Sequence, residues 1–389
     1  MRLIAVDSTY GATLNKGHPE HFLAGLSRFA SQRSVPLQVI CHKNDLSDVL
    51  PSNLRTPIIS HSAHQSLSND PFDGRLIDFT TGEQRLCADL ISNEIDLVDG
   101  DLLFLPTATS RELAGIASWV ERLGARVHIA ALFHWGTHRV YQRGGLEAAL
   151  LRQAGRKMSA TEPMSMWMAA TQEDLARGLS GPLGCEVATY PSATFFDAIP
   201  KRTGSKDGVN IGFIGGMRNE KGGPLLPYIV ALAATLAPSF NFIVQCHSGF
   251  EDNAALDEMA RLHNCTLVRD WLDADSMLNL CSTLDVAILP YDRRFYASAV
   301  SGVFTYLSGI GIPCLVPSST WMSNRIASED AAGHVYEGTS AEDILTALMR
   351  MSAELIPLRQ QADRKAAGWQ RNYSATSLLE DLFRAVGQE

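Results

Sequence analysis

Short apolar runs alternate with amphipathic stretches along the whole chain, and this alternation restricts the fold more than any single motif does. Arg2 to Val6, Leu37 to Cys41, Pro57 to Ser60, Asp101 to Leu105, Arg126 to Phe133, Met164 to Ala170 and Glu186 to Tyr190 read as strands. Between them lie helical stretches: Pro19 to Ser31, with Phe22, Leu23, Leu26 and Phe29 at helical spacing, and Gln84 to Val98, with Leu86, Leu90, Ile91 and Ile95 on one side. A helix through Ala114 and Trp119 and another over Gln172 to Leu179 continue the pattern. Strand–helix alternation predicts a parallel sheet covered by helices on both faces, with ligands taken at the carboxyl ends of the strands.

The second half repeats the scheme. Strands are expected over Val209 to Ile214, Asn241 to Cys246, near Leu267-Val268, over Leu284 to Leu289 and over Cys314 to Val316. Helices are expected over Leu225 to Leu236, Ala254 to His263, Val303 to Ile310, Ala341 to Met351, Leu358 to Tyr373 and Ser374 to Val386. A chain of 389 residues exceeds one ordinary α/β core. The fold class is therefore α/β, with two Rossmann-like doubly wound domains, residues 1–199 and 211–368. The polar, turn-rich segment PKRTGSKDGVN, residues 200–210, is read as the linker.

Two stretches of the second half carry chemistry. In VNIGFIGGMRNEKGG, Val209 to Gly223, an apolar strand runs into Gly215-Gly216, where the backbone can turn tightly, and then into Arg218 and Lys221. Two cations at the mouth of a strand–loop–helix unit suit a diphosphate, Lys as a point charge and Arg as a planar fork. An ordinary turn with solvated cations fits this stretch equally well. The second stretch, Leu284 to Pro317, reads strand, polar loop, helix, strand, and Ser301-Gly302 stand just before Val303. Free N–H groups at that helix start would attract the same anion.

This pair of stretches resembles the donor-binding domain of GT-B glycosyltransferases, especially retaining family 4, whose pattern is a Gly-Arg-x-x-x-x-Lys-Gly loop and a Glu-x7-Glu helix ending in Gly-x-Pro. Lys221-Gly222 falls on the Lys-Gly, and Gly311-Ile312-Pro313 on the Gly-x-Pro. Gly216 stands where the loop Arg would be, leaving Arg218 as the nearby replacement, and the two Glu positions fall on Ser298 and Tyr306. The resemblance implies two domains facing a cleft, with a last segment, residues 369–389, crossing back to the first domain near Trp369. It implies a nucleotide-sugar donor, UDP- or GDP-linked, held by Gly215, Gly216, Gly222, Ser298, Ser301, Gly302, Val303 and Tyr306, with Trp271 and Leu272 against the base. It also implies Arg218 and Lys221 at the leaving diphosphate, an acceptor-side loop at Gly17-His18, and His134, at a strand end of the first domain, facing the sugar. For His134 a core or capping histidine is an equally good reading, and for His18 a polar residue at the start of a surface helix is the slightly better one.

Composition bounds the rest. A net charge of −9 with scattered Lys and Arg argues against a nucleic-acid surface, and no run of about 18 apolar residues could span a membrane. Met1-Arg2-Leu3 leads directly into a strand, so a cytoplasmic protein is expected, either free or peripheral at the inner membrane face. Seven dispersed cysteines without a CxxC pair read as reduced, mostly buried thiols. His134 and His138 have metal-like spacing but no third ligand nearby, and Asp273-x-Asp275 reads as a helix cap, so neither a metal nor a cofactor is expected. The expected activity is a metal-independent hexosyl transfer in polysaccharide or glycoconjugate biosynthesis, to an acceptor that is a saccharide, a lipid-linked saccharide or a small molecule. An epimerase of the same fold and a non-catalytic scaffold are the alternatives.

Overall fold

The computed structural model of the chain describes residues 1–7, 18–43, 50–60, 72–134, 146–191, 194–195, 199, 202–203, 208–246, 253–270 and 272–387. The chain divides into two compact units, Met1–Phe195 together with Ala375–Glu389, and Phe196–Ser374.

The first unit is a seven-stranded sheet of β1 (Leu3–Asp7), β2 (Leu37–His42), β3 (Arg55–Ile59), β4 (Leu102–Leu105), β5 (His128–Phe133), β6 (Ser165–Ala170) and β7 (Val187–Thr189), in the order 3-2-1-4-5-6-7. Every neighbouring pair is parallel. Because successive residues of a strand point to opposite faces, β1 sends Ile4 and Val6 into one core and Leu3 and Ala5 into the other. The first core takes the helices Phe72–Ser92, Ser110–Leu123, Leu146–Ala160 and Glu173–Leu183; the second takes His18–Gln32 and Ala375–Ala385. Both faces of the sheet are thus dry, which is why its strands lack the apolar–polar alternation of a half-exposed sheet.

The second unit repeats the plan with β8 (Val209–Phe213), β9 (Phe240–Gln245), β10 (Cys265–Val268), β11 (Val286–Ile288), β12 (Cys314–Pro317) and β13 (Gly333–Tyr336), all parallel, in the order 10-9-8-11-12-13. One face packs on the helices Leu226–Leu236, Asn253–Arg261, Ala341–Ala353 and the start of Leu355–Tyr373. The other packs on Ala274–Ser282, Gly302–Gly309 and Trp321–Ala327, where Phe304, Trp321 and Trp369 meet edge to face. Trp369 is fully buried in this second core, and the segment that belongs to the first unit begins at Ala375.

Several expectations need correction. The helix expected over Gln84 to Val98 starts at Phe72 and stops at Ser92, because Glu94 takes a left-handed φ of 52° that an α-helix cannot continue. The strand expected over Leu284 to Leu289 is regular only over Val286–Ile288; at its ends the Asp285 and Leu289 N–H groups still bond the Asn210 and Leu315 carbonyls, and the Asp285 carboxylate also accepts from the Asn210 N–H. The polar loop after it contains a short helix, Arg293–Tyr296, capped by Asp292 accepting from the Arg294 N–H. The helices Leu146–Ala160 and Trp321–Ala327 and strand β13 had no counterpart in the sequence reading. Among the described residues no helix is long and apolar enough to cross a membrane.

Candidate anion site at the switch point of the second sheet

In a doubly wound sheet the crevice for ligands opens where the strand order reverses, outside the carboxyl ends of the two central strands. Here that point lies between β8 and β11, which pair through Ile211 with Val286 and Gly212 with Ala287. The loops leaving these two strands are the two stretches singled out in the sequence.

The loop after β8 is built by glycines with distinct duties. Gly215 has φ +95°, and its N–H donates to Oε1 of Gln245, buried at the end of β9, at 2.8 Å. A Cβ on Gly215 would lie 3.0 Å from Lys221 Nζ and 3.3 Å from Cγ2 of Val303. The ammonium and the start of the helix Gly302–Gly309 therefore both border this one glycine. Gly222 has φ +76°, and a Cβ there would run into the Pro290 carbonyl at the end of β11. The Asp292 N–H donates to the Glu220 carbonyl at 2.9 Å, which ties the two loops together again. The Lys-Gly pair is thus a local necessity: only glycine lets the backbone pass Pro290, and that passage holds Lys221 over Gly215.

Among the described residues Lys221 Nζ has no hydrogen bond and no carboxylate partner within salt-bridge distance. It lies 5.9 Å from the centroid of the buried Tyr291 ring. Burial, reinforced by the like charge of Arg218 and only partly offset by Glu220, pulls its pKa down to about 8. Arg218 is more exposed and forms a 2.9 Å ion pair with Glu220. The helix side of the site is equally unfinished. The Ser301 hydroxyl, on a side chain only 3% exposed, accepts from the Phe304 N–H and caps the helix, leaving the Gly302 and Val303 N–H groups without a partner among the described residues. The crevice holds a half-buried ammonium and two open backbone donors, the preparation an anion would use.

The remaining expected site residues are placed as follows. Gly216 is buried in the turn, and its carbonyl accepts from the Arg218 N–H. Ser298 is half-buried just ahead of the helix, and Tyr306, inside it, is half-buried with its phenol pushed to higher pKa by burial. Leu272 is half-buried before the helix Ala274–Ser282, where Asp273 accepts from the Ser276 N–H as a cap. Gly17, Trp271 and His138 lie outside the described residues, and of His18 only the helical backbone is described. His134, half-buried in the first unit after β5, bonds through Nε2 to the Pro106 carbonyl at 2.9 Å. A carbonyl only accepts, so Nε2 carries the hydrogen. Sequence reasoning missed Gln245 and Tyr291. A polar residue ending the apolar run Phe242–Val244 was a readable signal for the first, whereas Tyr291 needed the fold.

All seven cysteines are unpaired, and burial raises the thiol of Cys281 to about 12, far from a nucleophilic state. No group of three or more metal-ligating side chains occurs among the described residues.

No catalogued protein family matches the chain, and no curated protein matches it by sequence. Solved structures do match over its whole length. Sucrose-phosphate synthase from Thermosynechococcus elongatus aligns with a TM-score of 0.64 at 14% identity, covering 100% of this chain and 99% of its own. WaaG, a glycosyltransferase involved in lipopolysaccharide biosynthesis, aligns with a TM-score of 0.61 at 15% identity, covering 98% and 99%. UDP-GlcNAc 2-epimerase from Neisseria meningitidis, bound to UDP-GlcNAc, aligns with a TM-score of 0.61 at 14% identity, covering 99% of each chain. Two parallel-sheet Rossmann-like units with matches of this kind over the full length define the GT-B fold. At such identities the likeness extends to the fold alone.

Proposed function

We propose that the protein is a glycosyltransferase that moves a sugar from a nucleotide diphosphate donor, UDP- or GDP-linked, to an acceptor hydroxyl without a metal ion. The observation that carries this reading is Lys221: an ammonium without a partner among the described residues, over Gly215 and beside two open helix N–H groups, at the switch point of a doubly wound sheet. Transfer breaks the bond between the anomeric carbon and the diphosphate oxygen. The electron pair stays on that oxygen, the acceptor oxygen bonds the carbon, and the acceptor proton leaves. Charge therefore grows on the diphosphate in the transition state, and Lys221, Arg218 and the N–H groups of Gly302 and Val303 would stabilise it there. Gly215, Gly216 and Gly222 would keep the approach open, Ser298, Ser301 and Tyr306 would border the donor, and Trp271 with Leu272 would meet the base. His134, from the first unit, would face the donor sugar as a catalytic residue, and the Gly17-His18 loop would serve the acceptor side. A cytoplasmic station and a role in making a polysaccharide or glycoconjugate belong to the same proposal.

A second reading is a nucleotide-sugar epimerase, since one of the solved structures of this fold is such an enzyme. Incubating the protein with a panel of UDP- and GDP-sugars, with and without acceptors, and analysing products by mass spectrometry and NMR separates the readings. Acceptor-dependent release of nucleoside diphosphate supports transfer, an epimerised donor without acceptor supports the second reading, and an unchanged panel contradicts both.

A further inference from the structure

At the opposite end of the second sheet's strands, where β11 and β12 begin, lies a cavity of about 520 Å³ lined by Arg202, Arg359 and Asp363 and by the apolar Leu278, Ile310, Ile312 and Ile356. It is independent of the anion crevice: the helix Gly302–Gly309, about 12 Å long, has its first turn at the crevice and its exit, Ile310 to Ile312, at the cavity.

Two guanidiniums in an apolar wall require an account. Arg359 bonds the fully buried Asp285 carboxylate, which also accepts from the Asn210 N–H at 2.8 Å, so Asp285 is satisfied. Arg359 Nε is buried with no partner among the described residues. Arg202 donates through Nη2 to the Gly311 carbonyl and to Asp363 at 2.6 Å. That approach is built in: Gly311 has φ +79°, and a Cβ there would lie 3.2 Å from Arg202 Nη2. Asp363 is itself 65% exposed, so water screens its charge, while Arg202 is 16% exposed. Burial, with the like charge of Arg359 acting the same way against Asp363 and Asp285, holds the Arg202 pKa below its usual value. The cavity wall therefore carries two guanidiniums and one lining carboxylate, Asp363, whose charge water screens. Across it stand Leu278, Ile310, Ile312 and Ile356, with Gln360 as a neutral donor.

We propose that this cavity is a second ligand site, for a small amphiphilic carboxylate whose head meets the Arg202 and Arg359 guanidiniums and whose hydrocarbon body lies on the isoleucine wall. A planar fork matches a carboxylate in two-point contact, and among the described residues only Nη2 of each guanidinium is engaged, so Arg202 and Arg359 each keep an Nη1 donor for such a head. The volume falls in the range of small-molecule pockets, and the mixture of apolar walls with few convergent donors fixes orientation as such pockets do. The site needs neither the nucleotide reading nor the first unit.

The test is calorimetric titration of the full chain with octanoate, with 1-octanol and butyrate as comparisons. Saturable octanoate binding is expected, at least tenfold tighter than either comparison, because each lacks one half of the recognition. Ile356→Glu places a carboxylate at the rim on a side chain 71% exposed, so the fold is unaffected, and it should weaken octanoate at least tenfold. Arg202→Gln should do the same, with folding confirmed by circular dichroism. Lys221→Met, in the distant crevice, should leave octanoate binding unchanged. Absence of saturable binding, binding indifferent to both cavity variants, or loss of binding in Lys221→Met would overturn the assignment.

Discussion

Lys221 offers a perturbation whose sign is fixed at both ends. With a pKa near 8 in the empty crevice, about nine-tenths of the molecules carry the ammonium at pH 7 and about one-tenth at pH 9. A diphosphate beside it stabilises the charged form, so binding takes up a proton over the window that opens near pH 8. Affinity for nucleoside diphosphate should then fall about tenfold between pH 7 and pH 9, equivalent to about 1.4 kcal/mol. Lys221→Met keeps most of the stem and removes the charge, so that fall should flatten to whatever the nucleotide's own ionisation contributes. Stability moves the other way. A cationic group with a lowered folded-state pKa weakens the ligand-free fold fully below pH 8, and the penalty fades as pH rises towards the ordinary value of 10.5. Ligand-free Lys221→Met should therefore melt no lower than the parent at pH 7, with any advantage gone by about pH 10.5. Calorimetry at several pH values, in two buffers of different ionisation enthalpy, gives both affinity and proton uptake. Identical pH slopes in parent and variant would place Lys221 outside the anion site.

Three further outcomes follow from named contacts. Gly222→Ala forces a Cβ against the Pro290 carbonyl at a φ of +76°, so it should lower the melting temperature, at a cost of about 1–3 kcal/mol, and weaken nucleotide diphosphate in parallel. Gly302→Val should abolish diphosphate binding while leaving the ligand-free melting temperature nearly unchanged, whereas Ser301→Ala, which keeps every backbone donor, should bind with a smaller loss; normal binding by Gly302→Val would move the phosphate site elsewhere. Donor binding and turnover should survive EDTA, since the cations and helix N–H groups supply the positive charge; loss reversed by one divalent ion would contradict this.

The second sheet and its switch-point loops were legible because their information is local. Val209 to Gly223 shows an apolar strand, a glycine turn and a cation within 15 consecutive residues, and the structure assembles them largely from bonds inside that stretch. What the sequence hid is contact between distant residues. Pro290 explains Gly222, Gln245 explains Gly215, and Arg359 with Asp285 shapes the far cavity across 74 residues of chain. The helix Arg293–Tyr296 escaped notice for a related reason. Its four residues show no full period of hydrophobicity, and an Asp cap rather than a buried face starts it. For His134 the sequence left a core role and a sugar-facing role open, and the bond to Pro106 fixes its tautomer without choosing between them.

The most direct measurement of the central claim is the melting temperature of the full chain in the presence of uridine diphosphate or guanosine diphosphate, against uridine and guanosine at equal concentration. A ligand that binds only the folded state stabilises it by mass action, by about 2.7 kcal/mol at one hundred times its dissociation constant, and so raises the melting temperature. One of the two diphosphates should stabilise the parent strongly, its nucleoside far less, and Lys221→Met should remove the difference between them. Equal stabilisation by diphosphate and nucleoside, or a diphosphate effect that Lys221→Met leaves intact, would contradict the account.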